Sequence, residues 1–353
     1  MVMRFHGRKR PVRVARCCRF LGFYIILGAI LSLPAVATAL PDLAAVRSFA
    51  YQLQNIDLAE LKESPYELIV IDYSRDGSQR QAFRPNEIAE LKAAGKKVLA
   101  YLSIGEAENY RFYFRSRWIA SRSGAPCDVA RTARAPLWLD ESNVEWCGNY
   151  KVKHWDPAWQ KIIYGVRAGG RKSYLDRIID AGFDGVYLDI IDGYEYWRSK
   201  PKPARRVTAA RDMAKFVIAL GRYARKVRGR TSFIVVPQNG AGIIRKVAPT
   251  VRNEYLKTIQ AIGAEDTFYF GPAAEDNPLA PQPVISILDF YVQAGKKVLA
   301  LDYLLDGDKR DDFFRRACER GYIPQTSNRP LDTLVHHQFL NCSCILTVGG
   351  QVC

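Results

Sequence analysis

The heptapeptide Ala-Gly-Lys-Lys-Val-Leu-Ala occurs twice, at 94–100 and at 294–300, each time directly after a helical pattern, Glu87 to Ala93 and Ile287 to Gln293. Glycine takes the left-handed conformation that closes a helix, and an apolar run of strand character follows at once, so the unit reads helix, glycine, strand. Ala181-Gly182 and Arg320-Gly321 punctuate the chain in the same way. Alternating strand and helix units imply a parallel sheet.

Strands are expected near 48–53, 68–72, 97–103, 185–189, 232–236, 258–263, 297–302 and 321–325. Eight is the number that closes a ring, so the expected fold class is α/β, a single (β/α)8 TIM barrel. An open doubly wound sheet is the main rival, weakened because no Gly-x-Gly-x-x-Gly follows the first strands. Residues 109–150, rich in Arg, Ser, Pro and Trp, interrupt the repeat and contain Cys127 and Cys147. They read as a long loop insertion on the active face with a disulfide clip, or else as a surface excursion.

Residues 1–39 read as a signal peptide. Arg4, Arg8, Lys9, Arg10, Arg13, Arg16 and Arg19 form a basic start, Phe20 to Leu33 is apolar, and Ala37-Thr38-Ala39 offers a small-residue cleavage site. An uncleaved anchor is the alternative, against which Pro34 argues. The remainder divides into a catalytic domain at 40–334 and a Cys-rich C-terminal tail at 335–353. Export to the medium, periplasm or cell envelope is expected, with no integral membrane span once the leader is removed. Losing the seven basic leader residues lowers the formal charge from +16 to +9. The remaining Lys and Arg are scattered along segments such as 205–230 and form no nucleic-acid module, so no nucleic-acid partner is expected, and the protein reads as a monomer.

Six cysteines follow the leader: Cys127, Cys147, Cys318, Cys342, Cys344 and Cys353. In an oxidising compartment they point to disulfides, and only Cys127 with Cys147 has a local argument. The tail gathers His336, His337, Cys342, Cys344 and Cys353, but the spacing matches no zinc pattern, so neither metal nor cofactor is expected. His154 stands alone in the body of the chain, and no Gly-x-Ser-x-Gly elbow exists to make it part of a serine triad. It reads as a packed or substrate-contacting residue beside Trp155.

Chemistry gathers where the strands end. The run Val186-Tyr187-Leu188 leads straight into Asp189, Asp192 and Glu195 among Tyr194, Tyr196 and Trp197. A single Asp-x-x-Asp is ordinarily a helix cap. Here other strands end alike: in Asp72 and Tyr73, in Glu106 and Glu108 after Tyr101, in Gln238 and Asn239, and in Asp302 and Tyr303. In a βα barrel these ends form one active face, and carboxylates among flat rings suit a sugar. For Asp72, Glu106, Glu108, Asp192 and Asp302, the alternative to an acidic substrate-binding ring is a helix cap or a salt bridge to a neighbouring Lys or Arg.

Seven ordered motifs resemble glycoside hydrolase family 114, the endo-α-1,4-polygalactosaminidases. They are Val-Ile-Asp-Tyr-Ser (70–74), Leu-Ala-Tyr-Leu-Ser-Ile-Gly-Glu-Ala-Glu (99–108), Tyr-Lys-Val-Lys-His-Trp-Asp-Pro (150–157), Gly-Phe-Asp-Gly-Val-Tyr-Leu-Asp-Ile-Ile-Asp (182–192), Pro-Gln-Asn-Gly (237–240), Gly-Ala-Glu-Asp (263–266) and Leu-Asp-Tyr (301–303). The resemblance runs from about Ala50 to Leu334. It implies a βα barrel that cleaves galactosamine-rich polysaccharide with an aspartate ending the fourth strand and a glutamate after the sixth, by position Asp189 and Glu265. Substrate binding is expected from Asp72, Tyr101, Glu106, Glu108, Trp155, Asp192, Gln238, Asn239, Asp302 and Tyr303. The resemblance implies an endo-acting hydrolase, and with Asp189 as nucleophile and Glu265 as acid/base the carboxyl groups are expected about 5 Å apart, the separation of a retaining enzyme. A non-catalytic carbohydrate-binding barrel, a basic envelope-interaction scaffold, and an endo-glycosidase for another, acetylated amino-sugar polymer are the alternatives.

Overall fold

The computed structural model describes residues 43–122, 125–166, 168–336 and Cys342. The segment expected to be a signal peptide and most of the C-terminal residues, including His337, Cys344 and Cys353, lie outside the described residues.

Three strands come first: β1 (Phe49–Gln52), β2 (Leu68–Ile71) and β3 (Lys97–Ser103). Five short strands follow: β4 (Glu106–Glu108), β5 (Ile119–Arg122), β6 (Ala125–Arg131), β7 (Leu139–Ser142) and β8 (Asn149–Val152). The main pattern resumes with β9 (Gly185–Asp189), β10 (Ile234–Pro237), β11 (Ala261–Glu265), β12 (Lys297–Asp302) and β13 (Ile323–Thr326). Helices connect every successive pair of the main strands, among them Pro85–Ala93, Ala209–Arg222, Pro249–Thr258 and Ile285–Gln293. All pairings among the main strands are parallel, as the alternating pattern requires.

The glycine punctuation has the expected cause. Gly95, Gly182, Gly295 and Gly321 carry φ of 83°, 91°, 72° and 73°. A Cβ on Gly95, Gly182 or Gly295 would meet nothing within 4 Å, so backbone conformation, not crowding, selects glycine there. Strand starts differ from expectation where a helix runs on. The helix Pro249–Thr258 still occupies Thr258, so β11 begins at Ala261 and ends on Glu265.

The main strands form ladders of five, β1-β2-β3-β9-β10, and three, β11-β12-β13. Between β10 and β11 there is one isolated parallel bridge, Gln238 to Gly263, and among the described residues no ladder joins β13 to β1. The α/β class and the eight parallel strands are therefore present, without a continuous hydrogen-bonded ring. Alternate residues face two cores. Leu68, Val70, Leu99, Tyr101, Tyr187, Val236, Ala261, Leu301 and Ile323, with Phe49 and Tyr51, form one cluster to which all eight strands contribute. Ile69, Ile71, Val98 and Ala100 point the other way and pack with helix residues such as Ile88 and Leu91. Burial on both faces explains why these strands read as continuous apolar runs; each fully buried Leu, Ile or Val contributes about 1.5–3 kcal/mol.

The segment 109–150 is not the irregular loop the composition suggests. β5 pairs with β6, and β4, β8 and β7 make a three-stranded antiparallel sheet. Cys127 and Cys147 are disulfide-bonded, as the local spacing suggested, and a second disulfide joins Cys318 to Cys342. Among the described residues no helix is long and apolar enough to cross a membrane.

Candidate active site

A cavity of about 740 Å³ opens at the carboxyl ends of the parallel strands. Asp189, the last residue of β9, sits at its floor. One carboxylate oxygen accepts the Tyr101 hydroxyl at 2.7 Å and the other accepts the Ile190 N–H, also at 2.7 Å. That N–H is aimed because Ile190 holds a φ of 56°, a conformation β-branched residues avoid. The turn is packed from behind by Gly105, where a Cβ would fall 2.1 Å from the Ile190 carbonyl. Burial raises the Asp189 carboxyl well above the ordinary range, and the nearby Glu265 raises it further, against the pull of the Tyr101 hydrogen bond.

Glu265 ends β11, two strands along. Its side chain accepts Asn239 Nδ2–H at 2.9 Å and the Tyr303 hydroxyl, while its own N–H donates to Asn239 Oδ1 at 3.0 Å. Asn239, at φ 57°, is thus locked on both sides of the glutamate. Burial raises the Glu265 carboxyl, and the bonds from Tyr303 and Asn239 oppose that rise. The next residue, Asp266, turns at φ 48° and is held by both Arg329 guanidinium nitrogens at 2.9 Å. The same guanidinium lies 3.9 Å from the centre of the Tyr303 ring. Gln238 accepts the Tyr51 hydroxyl at 3.1 Å.

Three further acids in the cavity, Asp72, Glu106 and Glu108, are paired with cations. Arg111, itself 3 % exposed, grips Asp72 through Nη1 and Nη2 at 2.9 and 2.6 Å and Glu108 through Nε and the shared Nη2 at 2.7 and 3.2 Å. Glu106 accepts Lys151 at 2.5 Å and Asn143 at 3.0 Å on one oxygen. Its other oxygen is buried without a protein partner. Asp192 stands exposed at the rim, its carboxyl pushed up to about 6 by the surrounding protein and by Glu195, with Lys151 opposing. Because the group is open to the cleft, solvent moderates that shift.

Asp72, Tyr101, Glu106, Glu108, Asp189, Asp192, Gln238, Asn239, Glu265 and Tyr303 all line the cavity, as expected from the strand ends. Asp302 and Trp155 do not. Asp302 is fully buried and accepts the backbone N–H groups of Thr267, Phe268 and Tyr269, the last two at 2.9 Å, so it ties down the chain after β11. Burial pushes its carboxyl up to about 7 despite those three donors. Trp155 packs edge-on against Trp197, ring centres 4.9 Å apart, beneath the Arg206 guanidinium. His154 is buried beside it, with Nε2 3.0 Å from the Ala209 carbonyl, and burial lowers its imidazole to about 4, which keeps it neutral.

Sequence reading missed Arg111, Arg329, Tyr51, Tyr110 and Trp146, all of which line the cavity. A signal existed for Arg111, since clustered buried carboxylates require a buried cation and it stands three residues past Glu108. Among the described residues no cluster of His, Cys, Asp and Glu has metal-holding geometry.

Comparison with known proteins finds relatives in sequence and in fold. The sequence profile of Glycoside-hydrolase family GH114 matches residues 32–344. The chain is 38 % identical to an uncharacterized protein of Methanocaldococcus jannaschii over 81 % of its length and 77 % of the relative's. It is 34 % identical to an uncharacterized protein of Thermotoga maritima, covering 81 % of each. In fold it is similar to the glycoside hydrolase domain of Pseudomonas aeruginosa PelA, at TM-score 0.53 and 20 % identity, over 81 % of this chain and 96 % of that one. It is likewise similar to Aspergillus fumigatus Ega3 in complex with galactosamine, at TM-score 0.54 and 18 % identity, over 82 % and 94 %.

Proposed function

The chain belongs to glycoside hydrolase family GH114, and on that premise we propose that it is an exported endo-acting hydrolase of α-1,4-linked galactosamine polymers, using Asp189 and Glu265. The carrying observation is that these two carboxylates share a cavity floor and neither takes part in an ion pair among the described residues, while Asp72, Glu106, Glu108 and Asp266 around them do. Free cation-binding capacity at the floor selects a substrate that brings its own positive charge, as an unacetylated amino sugar does. The galactosamine held by Ega3 supports the same class.

Asp189 serves as nucleophile. It is the shorter of the two side chains, on a strand end with both oxygens anchored. Burial raises both carboxyls, so the pair retains a proton, and Glu265, the longer side chain, is assigned to carry it to the leaving oxygen. Protonation of the glycosidic oxygen by Glu265 and attack of Asp189 on the anomeric carbon give a covalent glycosyl-enzyme. Glu265 then takes a proton from water as that water displaces Asp189, with overall retention.

We also read the eight strands as a closed (β/α)8 barrel, supported by the single interior cluster that all eight supply. Residues 40–334 form the catalytic domain on this reading. Export through the 1–39 leader is supported by the two disulfides. The test is digestion of acetylated and deacetylated galactosamine polymers by the purified protein, with products sized by mass spectrometry. Short oligomers from the deacetylated polymer are expected; no cleavage of either polymer rejects the reading.

A further inference from the structure

We propose a second sugar-binding position in the same cavity, built by Trp146 and Tyr110 with Asp76 and suited to a cationic amino-sugar unit away from the cleaved bond. It rests on the amino-sugar reading above. Trp146 is 55 % exposed and Tyr110 46 %, whereas most rings of this protein are buried, and both line the cavity. Large rings left open inside a cleft are suited to contact with a ligand.

The antiparallel insertion brings these two residues together. Glu108 of β4 is paired with Asn149 of β8, and the next residue, Asn109, donates its N–H to the Gly148 carbonyl at 2.9 Å. Tyr110 and Trp146 therefore leave adjacent strand ends, and the Cys127–Cys147 disulfide pins the turn beside Trp146. Tyr110 is fixed before any ligand arrives. Its hydroxyl donates to Glu108 at 2.6 Å, and the Arg111 guanidinium lies 4.8 Å from its ring centre. Gly77 leaves the ring its space, since a Cβ there would come within 2.4 Å of it, and the φ of 77° also favours glycine.

Asp76 adds charge to the ring pair. It accepts the Ser78 N–H at 2.8 Å and the Ser74 hydroxyl at 3.2 Å, and hydrogen bonds from Ser78 hold it below the ordinary carboxylate range, so it stays ionised. An ionised carboxylate beside open rings matches a sugar with an apolar C–H face and an ammonium group. Arg111 and Tyr101 connect Tyr110 to the floor by contact. The Tyr101 hydroxyl is bonded to Asp189, and the Arg111 guanidinium is 6.0 Å from the Tyr101 ring.

The experiment measures kcat/KM on deacetylated galactosamine oligomers of increasing length for wild type, Trp146→Ala and Trp146→Phe, with melting temperatures as a folding check. Trp146→Ala is expected to lose about tenfold on long chains, through KM, and progressively less as the chain shortens; Trp146→Phe recovers most of the loss. Equal constants at every length, in a wild type that cleaves the polymer, overturn the second position and leave the function standing. A wild type that neither binds nor cleaves these oligomers overturns both.

Discussion

Two walls of one cavity carry carboxylates at strand ends, yet they differ in what faces those carboxylates. On the β2 and β3 side, Asp72 and Glu108 close around a single buried arginine, Arg111, and Glu106 meets Lys151. On the β9 and β11 side, Asp189 and Glu265 face hydroxyl, amide and N–H donors, and the cation closest in the network, Arg329, is committed to Asp266. The first wall has two cations set among its three acids and holds shape. The second is left with two acids that cannot both ionise without strain, which is how a cleft keeps a proton available at ordinary pH.

The largest effect that would break this contrast lies on the second wall. Glu265→Gln is expected to reduce polymer turnover by roughly 10²–10⁴-fold, the usual worth of a positioned acid, and to lose far less on a substrate whose leaving group needs no proton. The pH profile adds a sign. Burial raises the folded-state carboxyl, so acid-dependent activity persists above the ordinary carboxylate range and is lost as pH rises through that raised value. A kcat–pH profile should show that alkaline limb in wild type and lack it in Glu265→Gln.

The first wall is sharpened by stability. Arg111→Met leaves two carboxylates buried without their cation and is expected to destabilise the fold by about 3–5 kcal/mol, measured by denaturant unfolding. Adding Asp72→Asn and Glu108→Gln to that variant should recover much of the loss, because the unpaired charges are then gone. Unchanged stability in the single variant would mean that the Arg111 cluster does not hold the wall.

The same contrast governs what could be read from sequence. The strands, their glycine punctuation and ten of the twelve expected site residues line up because alternation and strand-end position are local properties. Asp302 looks identical to Asp189 in its sequence setting, yet its partners are N–H groups of a turn some 33 to 35 residues upstream, which no local pattern reveals. Arg111 reads as the start of an insertion because its partner Asp72 is 39 residues away. Trp155 follows the motif His-Trp-Asp-Pro, but Trp197 and Arg206, from a later segment, claim its ring. The antiparallel strands of 109–150 were hidden by their Arg-rich, Pro-rich composition, which resembles a loop.

The direct test of the central claim is turnover of deacetylated galactosamine polymer by Asp189→Asn beside Asp192→Asn. The two residues lie three positions apart on the same rim, but Asp189 is anchored at the floor and Asp192 is open at the edge. Asp189→Asn is expected to show no measurable turnover while still binding polymer, and Asp192→Asn to keep measurable turnover with a higher KM. An inert Asp192→Asn beside an active Asp189→Asn would contradict the claim.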